Sequence, residues 1–406
     1  MPLVIFVAPW FSEFAAHSID ALAGLAGVRV ALISQEPLES LQSPPRDRVA
    51  AHWRISDALD AAQIADAAHS LSRHLGPVHR LVGVLEQAQV AIAEARERLG
   101  VAGMGAEAAR NFRDKARMKT LLREAGVPCA RHRLAATEAE AFAFAGEVGY
   151  PLVVKPPAGA GSVSTFRVDD DAALADALRV SAPGADNPAL LEEFITGEEH
   201  SFETMSLDGH SVWHSLTRYY PTPLEVMRNP WIQWCLLLPR EVDDARYDDI
   251  RRAAARALQV LGMDTGLSHM EWFRRADGSV AISEVGARPP GAQITTMISR
   301  AHDVDFMAAW ARLMVYGEFA PPERRYAVGA AFLRGQGRGE VRAVRGLEEA
   351  QREFGHLVTD VKLPREGQAP SSSYEGEGYV ILRHPDTAVV EHALSRLVSL
   401  IRVELG

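Results

Sequence analysis

Glu271 and Glu284 flank the dipeptide Asp277-Gly278 in the stretch LSHMEWFRRADGSVAISEVGARPPG, residues 267–291. Apolar-rich runs on both sides of an Asp-Gly predict a β-hairpin, because that dipeptide supplies the positive φ angles of a two-residue turn. With Asp277 and Gly278 as the turn, Ala276 faces Ser279, Phe273 faces Ile282, Glu271 faces Glu284 and His269 faces Gly286. The two carboxylates then stand opposite one another with Cβ atoms about 5 Å apart. Like charges so placed destabilise a sheet unless a cation or a proton lies between them. Hard oxygen ligands at this separation suit Mg²⁺, with Mn²⁺ a workable substitute, the shell being completed by water and nucleotide phosphates. The same face continues to Arg288 before Pro289-Pro290 ends the ladder. Open beside this is a surface hairpin whose glutamates pair with Arg274 and Arg275.

Of 43 basic residues only Lys115, Lys119, Lys155 and Lys362 are lysine. In a chain that otherwise uses Arg, a Lys marks a place where a compact, flexible ammonium is needed. Lys155 ends the apolar run PLVVK, and the turn that follows holds Gly159, Gly161 and Ser162. Glycines let backbone N–H groups approach phosphate oxygens while the lysine supplies a point charge. Lys115 and Lys119 lie one turn apart in ARNFRDKARMKTLLREAG, a helix predicted to stop at Gly126, and such a pair taken alone reads as a solvated face. In LLEEFITGEEHS, backbone groups at Glu193 and Ile195 could read adenine, with Glu192 accepting from its amine and Glu199 holding ribose hydroxyls. An acidic surface loop is the other reading of that segment.

The elements that must position these residues are legible in outline. Strands at 3–8, 28–34, 52–56 and 80–86 alternate with helices, which predicts a parallel sheet whose ligands sit beyond the strands' carboxyl ends, near Pro9 to Glu13 and Glu86. There is no G-x-G-x-x-G after the first strand and no P-loop, so nucleotide must bind elsewhere. The segment from His214 to Glu241 holds Tyr219, Tyr220, Trp231 and Trp234 without helical period and reads as an aromatic specificity loop, with plain core packing the commoner role for such side chains. Pro321-Pro322 reads as a linker to a final α+β part.

Composition bounds the rest. The 406 residues suffice for two or three domains, and 47% apolar with 24% charged is ordinary globular usage. Two cysteines, Cys129 and Cys235, make neither a disulfide framework nor a zinc site. The net charge of −10 argues against nucleic acid, and no apolar run is long enough for a membrane span. A cytoplasmic protein is the expectation, since the first strand carries no basic leader.

Together these residues resemble the ATP-grasp superfamily. The landmarks run in the family's order from Asn111 to Asp303: RDKARM (Lys115), GYPLVVKPPAGAGS (Lys155), LEEFI (Glu192), GEEHS (Glu199), HMEW (Glu271) and SEVGARPPG (Glu284, Arg288). The carboxy-terminal part is similar to the small domain of biotin-carboxylase-like ligases, including L-amino acid ligases. The resemblance implies a mixed α/β and α+β fold: a parallel α/β domain over residues 1–110, a two-sheet ATP-grasp domain over 111–320 with a lid at about 130–212, and an α+β domain over 321–406. It implies ATP between two antiparallel sheets, with Lys115, Lys155, Gly159, Gly161 and Ser162 at the phosphates and Glu192, Glu193, Ile195 and Glu199 at the nucleoside. Mg²⁺ would sit on Glu271 and Glu284, with Lys155 and Arg288 as the catalytic cations. The implied activity is ATP-dependent joining of a carboxylate and an amine through an acylphosphate, with Glu86, His269, Ser283, Arg288, Tyr219, Trp231 and Trp234 as substrate contacts. Bicarbonate or formate activation, or nucleotide binding without turnover, are the alternatives; the last draws on Gly286, where the family commonly has an Asn ligand for a second metal. Small molecules are the expected partners, with a homodimer left open.

Overall fold

Every residue of β1 (Leu3–Ala8) is buried, Leu3, Ile5 and Val7 in one core and Val4, Phe6 and Ala8 in another. A strand covered on both faces belongs to a parallel sheet sheathed in helices. The computed structural model describes residues 1–157, 165–229 and 232–406 and has that sheet. After β1 come α1 (Glu13–Ala23), β2 (Arg29–Ser34), β3 (Ala51–Arg54), α2 (Ala61–Leu75), β4 (Val78–Val82) and α3 (Gln89–Leu99). The strands pair in the order β3-β2-β1-β4, all parallel. Of Pro9 to Glu13, expected near a ligand, Ser12 caps α1 and Glu13 opens it and pairs with Lys362 at 2.9 Å.

The single helix expected up to Gly126 is two helices, α4 (Ala106–Arg113) and α5 (Lys115–Glu124). Asp114 breaks them apart because its carboxylate accepts from the Ala116 and Arg117 amides, capping a new helix rather than continuing the old one. The Lys115 amide donates to Pro157 O at 3.0 Å, which ties α5 to the next unit.

That unit comprises β5 (His132–Ala135), α6 (Glu138–Val148), β6 (Leu152–Lys155), β7 (Phe166–Val168), α7 (Asp171–Ser181) and β8 (Ala189–Glu193). Its strands form an antiparallel sheet in the order β5-β8-β6-β7. Leu152 and Val154 pack into its core with Phe144 and Leu174, so strand alternation turns Val153 and Lys155 the other way.

The chain continues through β9 (Glu198–Leu207), β10 (His210–Tyr220), α8 (Pro223–Arg228), β11 (Trp234–Leu238), α9 (Asp248–Leu261), β12 (Gly266–Arg274), β13 (Val280–Gly286), α10 (Ile294–His302) and α11 (Phe306–Tyr316). It closes with β14 (Ala327–Leu333), β15 (Gly335–Gly337), β16 (Val341–Arg345), α12 (Leu347–Phe354), β17 (Val358–Lys362), β18 (Gly378–His384), α13 (Thr387–Leu400) and β19 (Arg402–Leu405). One eight-stranded sheet runs β13-β12-β9-β10-β11-β14-β18-β17, and a small sheet is ordered β15-β19-β16. The boundary expected at Pro321-Pro322 therefore falls between strands of a single sheet, because β11 pairs directly with β14. The expected aromatic loop is a correction too: Tyr219 lies one residue before the end of β10 and Trp234 begins β11, both buried, with the short α8 between them. WCLLL is buried on both faces, and such a run carries no period from which a strand can be told.

In the hairpin, two departures from the expected register cancel. The turn is a three-residue loop, with the Arg275 amide bonded to Ser279 O at 2.9 Å and Gly278 at φ +83°. Phe273 consequently faces Ala281, not Ile282, and Ala276 is left outside the ladder. A bulge then absorbs Ser283, and beyond it Glu271 faces Glu284 and His269 faces Gly286 as expected.

Candidate active site

A cavity of about 860 Å³ opens between the four-stranded and eight-stranded sheets. The smaller sheet contributes Val153, Lys155, Arg167 and the run Glu192 to Gly197; the larger contributes Glu199, Tyr219, Trp234, His269, Glu271 and Glu284. Glu86, Lys115, Ser283, Arg288 and Tyr374 complete the wall. Every described residue that the resemblance assigned to the site is in this lining. Gly159, Gly161, Ser162 and Trp231 lie outside the described residues.

The lysines come from two elements, β6 and α5. Lys155 Nζ, at the end of β6, is 2.9 Å from Glu192 Oε2, and Lys119 Nζ is 3.4 Å from Glu192 Oε1. Lys115 pairs with Glu284, and Lys119 also donates to Ser283 O. Reading the lysines of α5 as a solvated face was wrong. Lys115, Met118, Lys119 and Leu122 are all buried on one stripe of the helix, and Lys119 has no exposed surface. The spacing was the available signal, since Met and Leu interleaved with lysines at i, i+3, i+4 and i+7 place the ammoniums on the apolar face. Lys119 was thus a missed member of the site.

The electrostatics follow from crowding. Burial would raise the Glu192 pKa, but Lys119 and Lys155 hold it below the ordinary carboxylate value. Burial likewise opposes ionisation of Glu284, yet Lys115 and Lys155 bring it down to about 2. Glu199, with burial and then Glu271 and Glu284 acting against it, is pushed well above the usual range. The repulsion expected within the Glu271–Glu284 pair is therefore expressed on Glu199, because lysines already compensate Glu284. The alternative pairing with Arg274 and Arg275 does not occur: Arg274 pairs with Asp249, and Arg275 lies 3.6 Å from Glu193.

At the far end Glu86 lies between two guanidiniums, 3.1 Å from Arg113 Nη1 and 3.1 Å from Arg288 Nη2. His269 Nδ1 is 2.8 Å from Glu203 Oε1, and Glu203, unexposed, also accepts from the Ser201 and Thr217 hydroxyls. Burial disfavours the His269 imidazolium, but its bonds to Glu203 and Glu271 raise its pKa to about 9. Glu203 had no sequence signal beyond its place in a strand. Trp234 stacks on Phe332 at 4.9 Å and meets Tyr219 and Tyr374 edge-on, so the aromatic wall is rigid rather than a mobile loop. Where the smaller sheet hands over to β9, Gly197 is required: at φ +156° a Cβ would sit 2.3 Å from Arg274 O.

Among the described residues no group of three or more His, Cys, Asp or Glu is arranged to hold a metal ion. Glu271 and Glu284 are opposed nonetheless, and burial together with these two carboxylates keeps Glu199 from ionising, so a cation among the three would lower the cost of charging them. That donor set fits Mg²⁺ shared with phosphate oxygens and water, not an all-protein cage. Gly286 adds no ligand; Arg288 side-chain atoms stand 3.6 and 3.7 Å from where its Cβ would be.

Residues 120–302 match the ATP-grasp domain family. The chain is 27% identical over 248 residues to the L-arginine-specific L-amino acid ligase of Bacillus subtilis, a match covering 60% of this chain and 59% of that one. It thus spans less than two thirds of that relative's length. In structure it is similar to the L-amino acid ligase from Bacillus licheniformis, with a TM-score of 0.78 at 20% identity, covering 100% of this chain and 99% of the other. It is also similar to a carboxyaminoimidazole ribonucleotide synthase from Aspergillus clavatus complexed with ATP, with a TM-score of 0.73 at 17% identity over 98% of each. The fold is the ATP-grasp fold. No described helix is long and apolar enough to cross a membrane.

Proposed function

We propose that this chain, which carries an ATP-grasp domain, is an ATP-dependent carboxylate–amine ligase acting on amino-acid-like substrates in the cytoplasm. The observation that carries the reading is one cavity in which Glu271 and Glu284 face each other, Lys115 and Lys155 form a cationic wall with Lys119 buried behind them, and Arg288 stands at the other end. The naming of relatives as amino acid ligases points the same way.

In this reading ATP lies between the two sheets, with the edge of β8 at Glu192 to Ile195 on its base and Glu199 on its ribose. Lys155 and Lys115 exchange their present carboxylate partners for phosphate oxygens, and Lys119 stays on Glu192 to keep that acid charged. Glu271 and Glu284 would hold Mg²⁺, which when bound neutralises the transferring phosphoryl group. Arg288 orients the substrate carboxylate, whose oxygen attacks the γ-phosphorus as the bond to the β-phosphate breaks, giving an acylphosphate and ADP; an amine then attacks the acyl carbon, loses a proton and expels phosphate. The protein's part is positioning and fixed charge in a cavity that largely excludes water, and no covalent nucleophile is needed. Glu86 suits a substrate ammonium, and the Tyr219–Trp234–Tyr374 wall suits an apolar side chain.

The test is a phosphate-release screen with MgATP and pairs of amino acids, run beside bicarbonate and formate. Release that requires two amino acids upholds the reading. Release with bicarbonate or formate alone moves the chain to that branch, and no release with any of them leaves a nucleotide-binding protein without turnover.

A further inference from the structure

Buried polar atoms without partners are rare and costly, so where they gather they mark a place that something else completes. Among the described residues ten side-chain nitrogen or oxygen atoms are buried without a hydrogen bond, and four of them belong to residues around one cavity: Arg324 Nε, Arg324 Nη1, His302 Nε2 and His214 Nε2, the last 3.3 Å from Asp243 Oδ1. This cavity of about 600 Å³ shares no lining residue with the active site. Its walls are Trp213 and His214 of β10, the segment 240–243 after β11, His302 at the end of α10, and the linker 321–324.

The polar groups there are held in place yet not satisfied. Arg324 Nη2 donates to Ser215 Oγ at 2.8 Å, which fixes the guanidinium while its other nitrogens go unmatched. No carboxylate lies within ion-pair distance of Arg324 among the described residues, and burial brings its pKa down to about 10. His302 Nδ1 bonds Glu323 O at 2.8 Å, so that nitrogen carries the proton and Nε2 presents a bare lone pair. Burial keeps this ring neutral, with a pKa lowered to about 4. Around the mouth stand Arg240 and three carboxylates: Glu241, which accepts from the Thr387 hydroxyl, and Asp243 and Glu323, with 83% and 80% of their side chains exposed and Glu323 3.6 Å from Arg325. The apolar floor is Trp213, packed against His302 and Phe306.

The cavity thus offers donors from a fixed cation at one point and an acceptor with nearby carboxylates at another. A plain anion would meet Asp243 and Glu323; a plain cation would meet Arg324. We propose that this cavity is a second binding site for a small zwitterion, a free α-amino acid or a dipeptide, with its carboxylate on Arg324 and its ammonium on His302 Nε2 and the acidic rim. The size agrees, since pockets of some 300–1,000 Å³ serve small ligands. The inference does not depend on the ligase reading, because none of its residues faces the catalytic cavity.

The experiment is calorimetric titration of the full chain, without nucleotide, in an Arg288→Met background that removes the carboxylate-binding arginine of the active site. The probes are L-alanine and L-alanyl-L-alanine, with propionate and L-alaninamide each lacking one charge. At least one zwitterion should bind, at least tenfold more tightly than propionate or alaninamide, and adding Arg324→Met should weaken it tenfold or more. Which of the two zwitterions binds more tightly distinguishes a free amino acid from a peptide as the occupant. Arg324→Met should fold, because an apolar chain replaces an unpaired buried cation; Val212→Trp, which fills the cavity with Arg324 retained, gives the same loss of binding by another route. Absence of binding by both zwitterions, binding indifferent to both variants, or propionate binding as tightly as alanine would each overturn the proposal and leave a water-filled or simple anion cavity.

Discussion

Lys119 Nζ lies 3.4 Å from Glu192 Oε1, the lysine wholly unexposed and the glutamate side chain 5% exposed, so α5 and the lid strand β8 are joined by a buried ion pair directly behind the candidate nucleotide site. Removing one partner of such a pair leaves an uncompensated buried charge. Lys119→Met should lower unfolding stability by roughly 3–5 kcal/mol in urea titrations without ligand. A loss below about 1 kcal/mol would show that Lys155 alone compensates Glu192.

Lys155 is the complementary case, since Lys119 remains on Glu192 when Lys155 is removed. Lys155→Ala should therefore keep the fold while lowering kcat by about 10²-fold or more, as expected when a charge facing the transferring phosphoryl group is lost. Near-normal ADP formation by this variant would take Lys155 out of the reaction.

Glu271 and Glu284 should part company in stability though not in catalysis. Either replacement by Gln should abolish Mg-dependent turnover. Glu271→Gln removes a charge that disfavours the ionised Glu199, so its metal-free melting temperature should be unchanged or higher. Glu284→Gln strands Lys115, whose side chain is 7% exposed, and should cost about 2–3 kcal/mol, somewhat less than a fully enclosed pair. Equal melts for the two variants would refute the Lys115–Glu284 pairing, and an active Glu284→Gln would refute the metal assignment.

His200, stacked on Trp272 at 4.5 Å, sets a pH dependence. Burial, with Arg218 and Arg274 nearby, lowers its pKa to about 3, so between that value and 6.5 the unfolded chain binds a proton that the folded one refuses. Stability is then fully present above pH 6.5 and falls as the pH drops toward 3, by roughly 3 kcal/mol at pH 4 from this residue. His200→Phe retains the stack and should show a shallower fall in melts from pH 7 to 4. Parallel curves for the two proteins would place the pH dependence elsewhere.

The small residue Gly286 gives a last test. A Cβ there meets only Arg288 side-chain atoms, at 3.6 and 3.7 Å, which is ordinary contact. Gly286→Asn should fold normally and, by adding an amide oxygen beside Glu284, lower the Mg²⁺ concentration needed for half-maximal turnover. An unchanged or weaker Mg²⁺ response would mean that Arg288 already occupies the place of the missing ligand.

Much of the site was legible because it is local. Glu271 and Glu284 are brought together by a hairpin, and their separation along the chain was enough to pair them, although the expected turn and the straight ladder were both wrong by one residue in opposite senses. Lys155 stood out through the rarity of lysine, and the parallel amino-terminal sheet through alternation of strands and helices. The buried role of Lys119, by contrast, turned on whether the apolar stripe of α5 faced solvent or protein, and the same spacing serves either until a partner surface exists.

The sequence by itself determined which groups could do the chemistry: two opposed carboxylates and a strand lysine, fixed by short-range geometry in β-strands, and an arginine two residues past the end of β13. Only the tertiary structure decided how their charges are balanced. Lys115 on Glu284, Lys119 on Glu192, Glu86 between Arg113 and Arg288, and Glu203 behind His269 all join residues distant in the chain. It also decided that Tyr219 and Trp234 form a packed wall and that β14 extends the central sheet. The reason is physical: hydrogen-bonded register is set by neighbours a few residues away, whereas the charge state of a buried group depends on every element packed around it.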